Sequence, residues 1–345
     1  MHTFTGTWKA TAIGSLPHLD ADEACRLTLA CLPELPVWPQ LPRRSFLENM
    51  YVQYSEGLPG RVVDEEGRRI FCEDKDAHWE DIEAFYRDCE EGRDERFAIS
   101  PLYASGLHAL AEMLRGGERS YPLVKGQVTG PFSFGLSVTG ADNRPILYDE
   151  TYADLLVRLL GGKARWMRDF LLSTGKAEEV LIFFDEPYLS MVGSALVSVQ
   201  PDHVVEWLDR CVADAGCLTG VHCCGNTDWS LLMRTRVDII NFDAYEYMEN
   251  LALYPEELSL FLERGGRLAW GVVPNDGRVA REGAADLRRR LEEGMALLAE
   301  RGVPSGLLQQ GMLVTPSCGM EGTDRETAEA VYRRLGELAE ELSRG

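Results

Sequence analysis

The sequence predicts an α/β fold, a single (β/α)8 TIM barrel that spans residues 1–345. Apolar, β-rich runs alternate with longer amphipathic segments, as expected for βα units built around a parallel sheet. Eight such runs occur, in a chain whose length α/β barrels commonly use as one domain. Polar residues follow most of the runs, and the carboxyl ends of the strands are where such a barrel carries its active site.

The predicted strands are short apolar runs, and in chain order they are residues 8–14, 37–41, 123–128, 180–184, 218–223, 238–242, 268–273 and 312–315. The predicted helices between them have apolar residues three and four positions apart and charged residues on the other face. They are residues 20–30, 104–115, 152–173, 201–215, 255–263, 284–301 and 324–343. Residues 43–99, after the second strand, are rich in charge and glycine, and we expect them to form an excursion with short elements of its own.

Composition limits the classes of function. The chain is 45% hydrophobic and 26% charged, which is typical of a globular protein with a substantial core. The formal net charge is −21, and the basic residues are scattered, so we expect neither nucleic acid nor a membrane as a partner. No leader or membrane span is evident, and nine cysteines without framework spacing favour a reducing compartment, so we expect a cytoplasmic protein.

A zinc half-site is the most informative local pattern. Residues 220–226 read Gly-Val-His-Cys-Cys-Gly-Asn, and a strand there would point His222 and Cys224 to the same face. Cys318 follows another predicted strand far downstream and would complete a His/Cys/Cys set only through the tertiary fold. Such distant ligands are typical of a catalytic zinc with an open position, whereas the alternative is that both cysteines are ordinary buried thiols. We expect Cys223 to face the other side and to pack.

Polar residues converge at the other strand ends as well. Ser15 and His18 follow the first strand, Asp185 and Glu186 the fourth, and Asp243 the sixth. For any one of these residues, helix capping is an adequate explanation. Because the carboxyl ends of all the strands meet at one mouth of a barrel, the set as a whole indicates an active site there.

Several motifs in order resemble the carboxyl-terminal catalytic barrel of cobalamin-independent methionine synthase, in the superfamily that includes uroporphyrinogen decarboxylase and corrinoid-linked thiol methyltransferases. They are Ile-Gly-Ser-Leu-Pro at 13–17, Val-Lys-Gly-Gln-Val-Thr-Gly-Pro at 124–131, Asp-Glu-Pro at 185–187, and His222-x-Cys224 with Cys318-Gly319. The resemblance spans nearly the whole chain and implies the same barrel fold.

The resemblance implies a zinc ion held by His222, Cys224, Cys318 and an acidic residue, and homocysteine as the substrate. Asp243 matches the acidic position at the end of the sixth strand, and Glu246 is the alternative. Asp185, implied to be catalytic, would bind the substrate ammonium together with Glu48. Ser15 and the backbone of Ile13 and Gly14 would bind its carboxylate. Zinc suits this chemistry because a free thiol is mostly protonated at neutral pH, whereas the nucleophile is the thiolate.

This sequence differs from the family it resembles in features that the family uses to bind its methyl donor. The chain has no room for a second barrel, the segment after Gly130-Pro131 lacks the tryptophan on which the pterin stacks, and 271–275 lacks the family's histidine. We therefore expect the methyl group to come from a methylcorrinoid such as methylcobalamin or a corrinoid protein. The alternatives are a methyltransferase for another thiol such as coenzyme M, kept open by Arg43 and Arg44, a uroporphyrinogen decarboxylase-like protein, or a non-catalytic zinc- or corrinoid-binding partner.

Overall fold

The computed structural model describes residues 8–309 and 313–344. Its main sheet has seven strands, all parallel, in the order β1-β9-β8-β7-β6-β5-β4. The remaining two strands, β2 and β3, form a separate antiparallel hairpin. In chain order the strands are β1 Lys9–Ala10, β2 Arg61–Asp64, β3 Arg69–Cys72, β4 Tyr121–Thr129, β5 Ala177–Asp185, β6 Leu218–Cys223, β7 Ile239–Phe242, β8 Arg267–Val273 and β9 Leu313–Pro316.

Helices separate the parallel strands, as the sequence pattern predicts. They are α1 Ala21–Cys31, α2 Trp79–Glu91, α3 Ser105–Gly116, α4 Pro131–Ser137, α5 Glu150–Leu172, α6 Pro201–Ala215, α7 Trp229–Arg234, α8 Met248–Leu251, α9 Pro255–Glu263, α10 Ala284–Glu300, α11 Ser305–Leu308 and α12 Arg325–Ser343. Each of the seven predicted helices is present, with ends that differ by at most two residues. Within the described residues, none of the helices is both long and apolar enough to cross a membrane.

The second predicted strand, residues 37–41, is the main difference from the sequence prediction, and without it the sheet has seven strands instead of eight. Among the described residues, positions 37–41 form no strand and make only two isolated parallel bridges, Val37 to Lys125 of β4 and Gln40 to Ser15. Prolines at positions 36, 39 and 42 explain the interruption, because proline has no backbone N–H to donate to a ladder. The segment nevertheless lies between β4 and the chain that follows β1.

The first predicted strand is also shorter than expected. Only Lys9 and Ala10 pair with β9, although the N–H of Thr11 still donates to the carbonyl of Val314 over 3.1 Å. Beyond that point Gly14 has a positive φ of 140°, which ends the extended run. The predicted last strand began at residue 312, which lies outside the described residues.

The excursion, residues 43–99, contains elements of its own, as predicted. The β2–β3 hairpin and helix α2 lie within it, together with a short 3-10 helix at Phe46–Glu48. Two further 3-10 helices, Lys75–His78 and Asp94–Phe97, flank α2. The Phe46–Glu48 turn carries a buried carboxylate, that of Glu48.

Two hydrophobic clusters hold the fold together. The larger one lies between the sheet and its helices. The smaller one is formed by Leu35, which lies outside the strands, and by the strand residues Leu123, Leu181, Phe183, Leu218, Ile239, Ala269 and Leu313, all buried. Because side chains alternate along a strand, these positions define the inner face of the curled sheet. Residues two and four positions further along each strand therefore point inward near its carboxyl end.

Candidate active site

The inner face of the sheet changes from apolar to polar toward the carboxyl ends of the strands. Asp185 ends β5 and is paired in the ladder with His222 of β6, which in turn is paired with Asn241 of β7. All three continue the inward alternation of the apolar layer, because they follow Phe183, Gly220 and Ile239 by two positions. Neighbouring strands thus bring a carboxylate, an imidazole and an amide to the same end of the sheet.

His222, Cys224 and Cys318 form a compact group. Their possible ligand atoms, one from each side chain, all lie within 4.8 Å of one another. His222 is inside β6, Cys224 follows that strand, and Cys318 follows β9, so the group is assembled by the sheet. Nε2 of His222 is buried without a hydrogen-bond partner among the residues that the structure describes. An unpaired imidazole nitrogen beside two sulfur atoms is the arrangement that a zinc ion would complete.

The electrostatics of the cysteine pair favour a thiolate. A hydrogen bond from the Cys318 thiol, together with the neighbouring His222, lowers the pKa of Cys224 despite its burial. The same interaction with Cys224, and burial, raise the pKa of Cys318. Cys223 lies on the opposite face, fully buried in the larger cluster, and burial raises the pKa of its thiol to about 12. The two adjacent cysteines therefore have different environments, as the strand alternation predicted.

The two candidate acidic ligands are placed differently. Asp243 is buried directly after β7, and burial raises the pKa of its carboxyl to about 6. Its Oδ1 accepts hydrogen bonds from the backbone N–H groups of Tyr245 and Glu246, both at 2.9 Å. Glu246 forms an ion pair with Arg278. Neither carboxylate belongs to the group of ligand atoms within 4.8 Å, in the described part of the chain.

The His/Cys/Cys group opens into a cavity of about 340 Å³. Of the residues singled out from the sequence, Ile13, Ser15, Glu48, Asp185, His222, Cys224 and Cys318 line it, and Gly14 and Asp243 do not. The other lining residues are Gln40, Pro42, Asn49, Met50, Tyr51, Pro187, Gly319 and Glu321. A cavity of this size fits a small amino acid, and polar groups converge on only part of its wall.

Two carboxylates in the cavity wall have unpaired oxygen atoms. Oε1 of Glu48 accepts hydrogen bonds from Arg44 and Ser105, both at 2.7 Å. Oε2 of Glu48 and Oδ1 of Asp185 are buried, and neither has a hydrogen-bond partner within residues 8–309 and 313–344. Burial raises the pKa of both carboxyls. Buried acceptors of this kind call for a donor, and a cation satisfies two of them at once.

The turn at residues 13–15 approaches the site closely. A side chain at Gly14 would lie 2.4 Å from the amide nitrogen of Gln127, so only glycine fits there with its positive φ. Ser15 accepts a hydrogen bond on its carbonyl from the N–H of Met320. A Cβ at position 319 would lie 2.1 Å from Oγ of Ser15, so Gly319 allows this contact. The turn is thereby fixed against the segment that carries Cys318.

Several site residues were missed by the sequence reasoning. Glu321 lines the cavity three positions after Cys318, and burial raises its pKa while Arg43 opposes that shift. Asn241 and Lys125 are polar residues inside apolar strands, and both are fully buried. Their signal was available, because each stands two positions before or after an inward-facing residue of its strand. Tyr51 and Met50 carried no comparable signal, since they belong to the irregular excursion.

Comparisons with solved structures identify proteins of similar fold. A B12-independent methionine synthase from Shewanella sp. W3-18-1, in complex with selenomethionine, matches with a TM-score of 0.60, 16% identity and 98% coverage of both chains. A methyltransferase from Methanosarcina mazei matches with a TM-score of 0.57, 11% identity, and coverage of 95% of this chain and 93% of that one. A putative vitamin-B12 independent methionine synthase from Listeria monocytogenes matches with a TM-score of 0.55, 13% identity and 98% coverage of both chains.

At these sequence identities the likeness establishes a shared fold over nearly the full length of each chain. No family model matches this sequence, and no curated protein is similar to it.

Proposed function

We propose that this protein is a zinc-dependent methyltransferase that moves a methyl group from a methylcorrinoid to the thiol sulfur of homocysteine, giving methionine, the corrinoid in its cob(I) form and a proton. One observation carries the proposal: a single cavity joins the His222, Cys224 and Cys318 group to the unpaired carboxylate oxygens of Asp185 and Glu48. The first part suits a thiol and the second an ammonium group, which homocysteine combines. The shared fold with methionine synthases and a methyltransferase agrees with this assignment.

The residues present fit a zinc ion. One nitrogen and two sulfur donors within 4.8 Å of one another are a ligand set that zinc prefers, and they leave the fourth position of a tetrahedral site to a carboxylate or to a substrate sulfur. We propose that His222, Cys224 and Cys318 hold the metal and that Asp243, at the end of β7, is its acidic ligand. A zinc ion bound there would act as a Lewis acid that keeps a substrate thiol deprotonated near neutral pH.

The chain's own residues would bind and orient the amino acid. Asp185 and Glu48 present unpaired oxygens to the cavity, where they would accept hydrogen bonds from the substrate ammonium. Ser15 and the backbone of Ile13 and Gly14 would bind its carboxylate. Holding both ends of the amino acid fixes the direction of its side chain, so the sulfur points toward the His/Cys/Cys group, and correct orientation lowers the barrier for transfer.

The carboxylates favour homocysteine over coenzyme M. A sulfonate is an anion, and placing it beside two buried carboxylates would be repulsive. Arg44, one of the two cations that could compensate, is already paired with Glu48 over 2.7 Å. A decarboxylase of the same superfamily would give the His/Cys/Cys group no common task.

We propose a methylcorrinoid as the donor in place of folate. Phe132 and Phe134 follow Gly130-Pro131, where the related synthases have their pterin-stacking tryptophan, and both are fully buried in the larger core cluster. The part of the wall away from the metal ligands includes Pro42, Met50 and Pro187, and Tyr51 there stacks on Tyr188 with ring centroids 6.1 Å apart. An apolar rim of this kind suits the face of a large planar donor.

The test is methionine formation by the purified, zinc-loaded protein. Homocysteine is supplied with methylcobalamin or with methyltetrahydrofolate, and coenzyme M replaces homocysteine in a parallel series. Methionine from methylcobalamin supports the proposal, and Asp185→Asn is the matched variant, expected to raise the KM for homocysteine while retaining zinc. Product only from methyltetrahydrofolate would overturn the donor, and product only with coenzyme M would overturn the acceptor.

Two further outcomes separate the remaining alternatives. A protein that binds no zinc favours a decarboxylase-like function. A protein that binds zinc but forms no product from any pair, even when a methylated corrinoid protein replaces methylcobalamin, is a binding partner and not the enzyme.

A further inference from the structure

Asn241 occupies an unusual place beside the metal-ligand group. It lies inside β7, fully buried, and its ladder partner on β6 is His222. Its side-chain amide makes three hydrogen bonds to three different strands. Oδ1 lies 2.5 Å from Nδ1 of His222, and Nδ2 donates to the carbonyl of Ala269 over 2.9 Å and to Oγ1 of Thr315 over 2.8 Å. A polar residue with every contact satisfied is fixed in orientation.

The contacts determine which way the amide points. The carbonyl of Ala269 can only accept a hydrogen bond, so the amide atom that faces it must be the NH2 group. Flipping the amide would place its oxygen against the carbonyl oxygen of Ala269, so that two acceptors would face each other without a hydrogen between them. The oxygen of Asn241 therefore faces His222.

The orientation of the amide determines the state of the imidazole. An amide oxygen only accepts, so Nδ1 of His222 must carry the hydrogen of their 2.5 Å contact. In the neutral ring, which is the form that binds a metal, the lone pair is then on Nε2, the buried nitrogen that has no partner among the described residues. We infer that Asn241 is a positioning residue that holds His222 in the tautomer and ring orientation needed for Nε2 to bind the metal.

The inference rests on the metal site of the proposed function and extends it to a residue outside the ligand set. Thr315 connects the same amide to β9, three positions before Cys318. Asn241 therefore ties the strand that carries His222 to the strand that leads to Cys318. Partners of this kind, behind a metal-binding histidine, typically change metal affinity by roughly 10–100-fold when removed.

The direct test is NMR of protein labelled with 15N in histidine. In both the metal-free and the zinc-loaded protein, we expect a proton on Nδ1 of His222 that exchanges slowly with water. In the zinc-loaded protein, we expect the metal on Nε2. His222→Gln assigns the ring signals. Zinc on Nδ1, or a rapidly exchanging Nδ1 proton in the wild type, would overturn the inference.

Variants add a test of affinity. Asn241→Leu, close to asparagine in size, removes the acceptor, and we expect zinc affinity to fall by roughly tenfold or more with loss of the protected Nδ1 proton. Asn241→Asp keeps an oxygen toward His222 and should keep the protected Nδ1 proton and zinc affinity near the wild-type value, with lower thermal stability because its second oxygen faces the carbonyl of Ala269. Thr315→Val, the matched control, removes a partner of the amide without touching His222 and should leave zinc affinity nearly unchanged.

The two proposals fail in different ways. If Asn241→Leu lowers thermal stability but leaves both the ring signals and zinc affinity unchanged, Asn241 has only a structural role and the inference is wrong. If Asn241→Leu does not fold, the wild-type ring signals and Asn241→Asp still decide. Correct ring signals and zinc affinities without methyl transfer would leave the inference standing and overturn only the proposed reaction.

Discussion

Lys125 donates a hydrogen bond from Nζ to the carbonyl oxygen of Ile13 over 2.8 Å, inside the curled sheet and below the cavity. The lysine is fully buried, and Nζ also lies 4.7 Å from the ring centroid of Phe183. Burial lowers the pKa of Lys125, and the charge of Asp185 opposes that shift. One cation therefore supports both the turn at residues 13–15 and the ionised form of Asp185.

Replacing Lys125 should weaken substrate binding. Lys125→Met leaves the Ile13 carbonyl without its donor and removes the charge that lowers the pKa of Asp185 against the effect of burial. Less of Asp185 is then ionised at neutral pH, so we expect the KM for homocysteine to rise by about tenfold, which corresponds to about 1.4 kcal/mol. Steady-state kinetics and zinc content check this, and zinc content should not change.

The matched control for that variant is Lys163→Met. Lys163 is also fully buried, but it lies in α5, with Nζ 3.5 Å from the carbonyls of Phe97 and Ala98. It does not line the cavity, so its replacement should leave the KM for homocysteine unchanged. An equal rise in KM in both variants would show that loss of any buried lysine perturbs the site.

Lys163 should also make stability depend on pH. Burial lowers the pKa of Lys163 from its usual 10.5 to about 7. Between these pH values the unfolded chain binds a proton that the folded protein lacks, so this lysine makes the free energy of unfolding rise with pH. Below about pH 7 it is charged in both states, and the cost of burying the charge is present in full.

We therefore expect the stability difference between Lys163→Met and the wild type to change across that window. The advantage of the variant should be largest near neutral pH and should decrease by up to about 4 kcal/mol toward pH 10.5. Urea unfolding at a series of pH values measures it. A difference that stays constant with pH would show that Lys163 remains charged in the folded protein.

The sequence predicts the parts of this protein that depend on periodicity. The spacing of apolar residues located all seven predicted helices. The alternation of side chains along a strand depends only on local geometry, and it predicted that Cys223 and Cys224 face opposite sides. The prediction of a strand at residues 37–41 was wrong because it rested on apolar residues alone and took no account of the prolines, which cannot donate a hydrogen bond to a neighbouring strand. Hydrophobicity reports burial, whereas a strand also needs its backbone N–H groups.

Parts of the site that depend on tertiary contacts could be predicted only incompletely. Glu48 lies in an irregular excursion, where no period indicates which side chain turns inward, and only the family resemblance pointed to it. Asn241 and Lys125 could have been flagged as polar residues on inward strand positions. Their partners could not, because the contacts to Ala269, Thr315 and Ile13 depend on the stagger between strands.

The adjacent cysteines offer a matched test of the metal site. Cys224→Ser replaces a thiolate ligand by a hydroxyl, and we expect loss of equimolar zinc after dialysis because serine binds this ion poorly. Cys223→Ala removes a buried sulfur on the opposite face, where Sγ lies 3.5 Å from the carbonyl of Gly225. That variant should keep its zinc and lose about 1 kcal/mol of stability. Zinc analysis and thermal unfolding of both variants measure this, and equal zinc loss in the two would contradict the assignment.

The acidic ligand can be identified in the same way. Asp243→Asn removes a charge that interacts with Cys224 while preserving an oxygen to accept from the N–H groups of Tyr245 and Glu246. We expect zinc affinity, measured by competition with a chromophoric chelator, to fall by roughly tenfold. Glu246→Gln should have little effect, because Glu246 is paired with Arg278.

Should Glu246→Gln lower the affinity and Asp243→Asn not, the loop after β7 must fold back when metal binds, and Glu246 is the ligand. If neither changes it, the zinc is held by His222, Cys224 and Cys318 without a carboxylate from this loop.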